Sequence, residues 1–306
     1  MITTLTLNPA FDIHAALTDF RAGHENLAEK VTRDIGGKGI NISRALTENH
    51  LPNRALVVLG SENAAEFREG LIREGLDFDE LVYPGRIREN ITIHPSSGDE
   101  TRLSFKGFAC DSGLLDRVDS LLATEAKEGD IVTFTGSLPG GISESDAEKF
   151  LISLRCRGVR VVIDSKSITL DSLKRIKPWL IKPNAEELEA YFGELDEDMM
   201  VEKAKELHSG GIGNVIISLG GDGALLASDE GVFRAKPPKI DAVSTIGAGD
   251  SMIAGFIAAA SLGINGGEAL RLASAYGTAA CLREGTNPPI AADINKVKNG
   301  VIIIEK

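Results

Sequence analysis

Apolar positions in this chain fall into short β-branched runs separated by longer stretches with helical spacing. The clearest runs are residues 55–59, 131–134, 159–163, 180–181 and 215–218. Each is too short for a helix and rich in residues that suit a buried pleated surface. Between them, residues 64–73, 144–154, 185–192 and 199–208 place apolar side chains at helical intervals. Strands alternating with helices predict βαβ crossovers and an α/β fold: a mostly parallel central sheet with helices on both faces.

Two segments break this rhythm, 11–33 and 88–108, where strand-like alternation is interrupted by turns with no helical stretch. Residues 91–94, a polar turn over 95–100, and 101–105 read as a hairpin. Paired together, the two insertions predict a small sheet outside the main body, serving either as a lid over a site or as an edge for dimerisation. After Ser209 the chain becomes glycine-rich, then enters two alanine-rich helical stretches, 249–262 and 267–282, whose small residues predict close helix packing.

Charge and composition narrow the function classes. With 45 acidic against 33 basic residues, the net charge of −12 repels polyanions, so no nucleic-acid partner is expected and an anionic substrate needs a local basic pocket. No apolar run reaches the ~20 residues of a bilayer span, and residues 1–7 look like a strand rather than a signal peptide, so a cytoplasmic location without membrane contact is the default expectation. The three cysteines, Cys110, Cys156 and Cys281, and the five scattered histidines match no metal-ligand or hydrolase spacing.

The sharpest chemical feature is Thr245-Ile246-Gly247-Ala248-Gly249-Asp250-Ser251, between a strand-like run and an apolar helix. Glycines there admit a ligand to the backbone, and a helix start aims free amides and its positive dipole end at developing phosphoryl charge. Asp250 fits two roles equally on spacing alone, a plain capping carboxylate or a general base. Neither the P-loop pattern nor the dinucleotide-binding glycine fingerprint is present.

Gly247-Ala248-Gly249-Asp250 followed by Gly255, with Gly36-Gly37-Lys38-Gly39-Ile40-Asn41 far upstream, resembles the paired signatures of the ribokinase-like PfkB family of sugar kinases. The resemblance spans the chain: Leu7-Asn8-Pro9-Ala10-Phe11-Asp12, Gly136-Ser137-Leu138-Pro139, Lys182-Pro183-Asn184-Ala185-Glu186-Glu187 and Ser218-Leu219-Gly220-Gly221-Asp222-Gly223 follow in the family's order. It implies a three-layer α/β/α kinase over residues 1–306 with the two insertions as a β-sheet lid, using ATP and Mg²⁺; the unpaired edges of such an exposed lid sheet favour a homodimer that covers it. Asp250 becomes the general base, and Gly247, Ala248 and Gly249 the anion hole. Lys182, Asn184 and Glu187 join the phosphate and Mg²⁺ network, with Glu187 acting on the ion through water. Ser218 to Gly223 run under the nucleotide, while Asp12, Gly36, Gly37, Asn41 and Ser137 take the sugar.

Lysine within Gly-Gly-Lys-Gly resembles the branch of the family that acts on sugar phosphates, with Lys38, Arg88 and Arg102 as three cations around the lid for a second phosphate. The implied reaction phosphorylates a ketose phosphate, fructose 1-phosphate foremost, with tagatose 6-phosphate and fructose 6-phosphate as alternatives. A nucleoside kinase on the same scaffold and a non-catalytic sugar-phosphate sensor are the rival classes. One departure, Ile42-Ser43-Arg44 where many relatives carry Val-Ala, keeps a small residue and is expected to be harmless.

Overall fold

The computed structural model describes residues 1–97, 99–123 and 126–306. Ten strands form one sheet: β1 (Ile2–Thr6), β4 (Arg54–Gly60), β5 (Phe78–Tyr83), β8 (Ile131–Thr135), β9 (Arg160–Asp164), β10 (Leu180–Ile181), β11 (Asn214–Ser218), β12 (Ala224–Ser228), β13 (Gly231–Lys236) and β14 (Ile302–Glu305). Their order is β14-β13-β12-β11-β10-β9-β8-β1-β4-β5. From β11 to β5 every pairing is parallel, and only the β12–β14 end is antiparallel. Every residue of β1 and β8 is buried, as a parallel strand covered on both faces requires.

Two apolar clusters cover the two faces. On one, α2 (Ala64–Arg73), α3 (Leu114–Ala123), α4 (Glu144–Cys156), α5 (Leu170–Ile176), α6 (Ala185–Phe192) and α7 (Glu197–Ser209) insert side chains such as Phe67, Val118, Leu151 and Val201. On the other lie α1 (Lys38–Glu48), α8 (Ala248–Ser261), α9 (Gly266–Ala280) and α10 (Ala291–Lys298), contributing Ile42, Ile257, Ala273 and Val297. The expected closeness of the small-residue helices is literal: a Cβ on Gly255 of α8 would lie 2.9 Å from the Ala273 Cα of α9.

The two insertions pair as expected. The small sheet has the order β3-β2-β6-β7, from β2 (Ala10–Leu17), β3 (Lys30–Gly36), β6 (Arg88–Pro95) and β7 (Thr101–Leu103). The β6–β7 hairpin is antiparallel, and within its turn Gly98 lies outside the described residues. Strand β2 joins the insertions, antiparallel to β3 and parallel to β6, which sets Asp12 opposite both Asp34 and Asn90. Alternation then gives the sheet two unlike faces. Asp12, His14, Asn90, Thr92 and Arg102 share one, while Ile13, Ala15, Val31, Ile91, Ile93 and Leu103 share the other. Among the described residues no helix is long and apolar enough to cross a membrane.

Candidate active site

The residues singled out in the sequence converge where the parallel strands end. Asn8 follows β1, Ser137 follows β8, Asp164 closes β9, Lys182 follows β10 and Ser218 closes β11. Ligands of open α/β sheets bind at this carboxyl edge. The N-termini of α1 and α8 reach the same place.

Gly247, in the left-handed region at φ 78°, is the N-cap of α8 and provides no side-chain cap. Asp250 therefore sits in the first helical turn rather than at the cap position, which removes the plain capping reading of its carboxylate. Instead its Oδ2 accepts a hydrogen bond from Asn41 Nδ2 at 2.8 Å, across 209 residues of chain. Asp250 is only 6% exposed. Burial pushes its pKa up to about 6, with Asp164 adding to the rise and Lys38, Asn41 and Lys182 opposing it. Among the expected anion-hole amides, that of Ala248 already donates to the Thr245 carbonyl at 3.3 Å. The Gly249 amide lies in the first turn, where helical amides have no intrahelical acceptor.

Beside this helix start lies a charge cluster. Lys38 Nζ donates to Asp164 Oδ2 at 2.7 Å, and Lys182 Nζ lies 3.9 Å from the same oxygen. Burial opposes the charge of Asp164, yet Lys182 and Lys38 hold its pKa below the ordinary carboxylate range. Burial also opposes the charge of Lys38, but Asp164 and Asp250 keep its pKa above the usual value. A Cβ on Gly249 would come within 3.0 Å of Lys182 Nζ, so this glycine lets the ammonium lie against the helix start. Asp164 was missed from sequence; its only signal is an aspartate at the carboxyl end of a predicted strand.

The three cations expected around the lid divide into two groups. Lys38 belongs with Asp164 and Asp250. Arg102 lies 3.4 Å from Asp12 Oδ1, which also accepts from Asn90 Nδ2 at 3.0 Å. Arg88 donates to the carbonyls of Phe105 and Asn8, each at 3.0 Å, and so ties the lid to the loop after β1. Lys38 begins α1, and its side chain turns toward β9 rather than toward the lid strands.

Where the sequence places the sugar, β3 ends at Gly36, and a Cβ there would meet Asp12 Oδ2 at 2.1 Å. Gly37 is the N-cap of α1, and a Cβ there would strike Thr6. Asn41 thus projects from the first turn of a helix held tightly over β1. Ser137 Oγ accepts from Asn8 Nδ2 at 3.1 Å.

Where the sequence places the nucleotide, Ser218 to Gly223 form the turn between antiparallel β11 and β12, and Ser218 bridges to Asn184. Gly220 and Gly221 border open space, so a ligand has free access to that backbone, as it does to the exposed Asp222. Leu219 packs on the core instead, and Gly223 is needed for packing, since a Cβ there would lie 2.1 Å from the Ala235 carbonyl oxygen. Asn184 and Glu187 make a reciprocal capping box on α6, with Asn184 Oδ1 accepting from the Glu187 amide at 2.7 Å. Their helix-capping role is therefore structural fact. Glu187 keeps an oxygen directed at Lys166, 3.6 Å away.

The model of the pfkB family of carbohydrate kinases matches residues 6–293. The chain belongs to that family. It is similar to the 1-phosphofructokinase of Haemophilus influenzae, 35% identical over 279 residues that cover 90% of this chain and 88% of the relative. The 1-phosphofructokinase of Escherichia coli is 32% identical over 302 residues, 97% of each protein. Among solved structures, phosphofructokinase-2 from Escherichia coli in complex with fructose-6-phosphate superposes with a TM-score of 0.89 at 26% identity, covering 97% of this chain and 98% of that one. The three-layer body with its separate small sheet is the ribokinase-like fold of pfkB kinases.

Proposed function

We propose that this pfkB kinase transfers the γ-phosphoryl group of ATP to a primary hydroxyl of a ketose phosphate, O6 of fructose 1-phosphate before other acceptors, giving fructose 1,6-bisphosphate. One observation carries the reading. A buried carboxylate with its pKa raised to about 6 stands at a glycine-rich helix start, beside the Lys38, Asp164 and Lys182 cluster. Asp250 takes the proton of the attacking hydroxyl, and Lys38, Lys182 and the first-turn amides of α8 offset charge on the transferring group. Asp12 uses Oδ1 on Asn90 and Arg102, leaving Oδ2 for sugar hydroxyls. Arg88 and Arg102 supply the positive field for the acceptor's own phosphate. Relatives named 1-phosphofructokinase favour fructose 1-phosphate; the neighbour in complex with fructose-6-phosphate makes that sugar, with tagatose 6-phosphate, the alternative.

The residues present fit MgATP. The open backbone of Gly220 and Gly221 and the Lys182–Gly249 contact offer a cradle for the phosphates. Among the described residues no group of three or more acidic, histidine or cysteine side chains could hold a metal. Mg²⁺ often needs only one or two carboxylates besides phosphates and water, and Glu187 would serve in that way. Bound, the ion neutralises charge on the β- and γ-phosphate oxygens. The test is ADP release with fructose 1-phosphate, fructose 6-phosphate, tagatose 6-phosphate and adenosine. Fructose 1-phosphate is expected to give the highest kcat/KM. Release with adenosine alone would replace this reading by a nucleoside kinase, and release with none by a non-catalytic sensor.

Because a general base must be ionised, kcat/KM is expected to fall tenfold per pH unit below about pH 6, the pKa of Asp250. A pH–rate profile measures it, and a flat profile down to pH 5 contradicts the assignment.

We further propose that two copies associate through the outer face of the lid. Val31 and Leu103 there are 59% and 49% exposed, whereas the polar-face residues Asn90 and Thr92 are buried, so the sheet turns apolar side chains outward. A second copy would cover them. Sedimentation of the Ile91→Glu variant is expected to show monomers where the native protein shows dimers; a monomeric native protein contradicts the proposal.

A further inference from the structure

Arg44, next to the departure at Ser43, is 8% exposed and its guanidinium makes five directed contacts. Nε and Nη2 donate to the two carboxylate oxygens of Glu74, each at 2.6 Å. Nη2 also donates to the Ile35 carbonyl at 2.7 Å. Nη1 donates to Asn41 Oδ1 at 2.9 Å and to Thr286 Oγ1 at 3.3 Å. One cation thereby joins the last lid strand before Gly36, the residue that holds Asp250, and a loop whose Thr286 packs against Gly247.

The contact with Asn41 has a directional consequence. Arginine has five donors and no acceptor, so only the carboxamide oxygen of Asn41 can face it. The NH₂ group is thereby turned toward Asp250 Oδ2, 2.8 Å away. We propose that Arg44 is a positioning residue for phosphoryl transfer: by fixing the amide of Asn41 it keeps a donor, never an acceptor, against the Asp250 carboxylate. The proposal rests on the reading of Asp250 as general base. With the amide free to turn, its oxygen would oppose the ionised carboxylate and the pKa of Asp250 would rise further. The other charged groups facing Asp250 are Lys38 from α1, Asp164 from β9 and Lys182 after β10. Arg44 has a carboxylate partner of its own in Glu74, so replacing both removes a pair without stranding a charge.

The experiment compares pH profiles of kcat/KM for the native chain, the double variant Arg44→Met with Glu74→Leu, and Arg44→Lys. The acceptor's phosphate also ionises near pH 6, but equally for every protein, so the difference between profiles isolates the enzyme group. The double variant is expected to move the acid limb up by about one pH unit, a tenfold loss of kcat/KM below the limb, with KM for ATP unchanged. Lysine is also a donor without an acceptor, so Arg44→Lys should restore most of that shift. Should the double variant fail to fold, Glu74→Gln, which loosens the guanidinium without removing it, should move the limb the same way by a smaller amount. Lower kcat at every pH with the limb in its native position would show a merely structural role and overturn the proposal, as would an unmoved limb in Glu74→Gln. Activity of Asp250→Asn separates the two readings: full turnover there removes the base itself, whereas an inactive Asp250→Asn with an unmoved Arg44 limb removes only Arg44.

Discussion

Asp250→Asn is expected to lower kcat by about three orders of magnitude, within the range a positioned general base contributes. The substitution keeps shape and burial, so ATP should still bind. Stability should move in the opposite sense to activity. The native pKa of about 6 lies above the ordinary carboxylate value of 3.8, so the unfolded chain ionises first as pH rises. Below about pH 4 both states are protonated and this group costs nothing. Between pH 4 and 6 the native state loses stability with rising pH, and above 6 the loss is constant, on the order of 3 kcal/mol for two pKa units. The amide carries no such charge, and the variant should melt at a higher temperature than the native protein at pH 7, an advantage that shrinks toward pH 4. An aspartate serving only the helix start gives the reverse: asparagine caps as well as aspartate, but it lacks the negative charge that the positive helix end favours, so the variant would melt lower at pH 7. Melting curves at pH 4 and 7 together with kcat therefore separate the two roles.

Gly36→Ala is expected to raise KM for the ketose phosphate by about two orders of magnitude and leave ATP affinity nearly unchanged. The added methyl would lie 2.1 Å from Asp12 Oδ2, 2.8 Å from its Cγ and 3.3 Å from the Ala10 carbonyl oxygen. Asp12 is held by Asn90 and lies beside Arg102, so it moves only by giving up those contacts. Hydrogen bonds to a charged group are worth about 1.5–3 kcal/mol, and 1.4 kcal/mol is a factor of ten in binding. Steady-state kinetics with each substrate varied, beside calorimetric ATP titration, measure the split. An unchanged sugar KM would mean that Asp12 does not touch the acceptor.

Much of the fold was legible because parallel strands buried on both faces read as unbroken apolar runs, and because caps mark helix ends. Helix α6 begins where the Asn184–Glu187 box places it, and α2 and α6 have the limits expected from their periodicity. Strands β5 and β14 carried no comparable signal: they are the sheet's two edges, half-buried or exposed, and their composition is constrained on one side only.

Within the site, glycine runs announced themselves because backbone approach demands glycine. Asp164, Asn90 and Arg44 did not, since each matters through partners distant in the chain. Arg44 stood inside a segment expected to be harmless, yet it contacts Asn41 directly. Ser43 is small, as that expectation required, and its buried hydroxyl also pairs with Thr4 at 2.7 Å, which a Val-Ala pair could not supply. Lys38 faces β9 while Arg88 and Arg102 face the lid, a division the sequence does not display, because a shared charge says nothing about which strand end each side chain will face.

Phosphorus NMR of the native protein with ATP, Mg²⁺ and fructose 1-phosphate tests the central claim most directly. The account predicts ADP and fructose 1,6-bisphosphate in equal amounts, with the new phosphoryl group on O6, and product from Asp250→Asn forming about a thousandfold more slowly. Inorganic phosphate as the sole phosphorus product besides ADP, or undiminished transfer by Asp250→Asn, would contradict it.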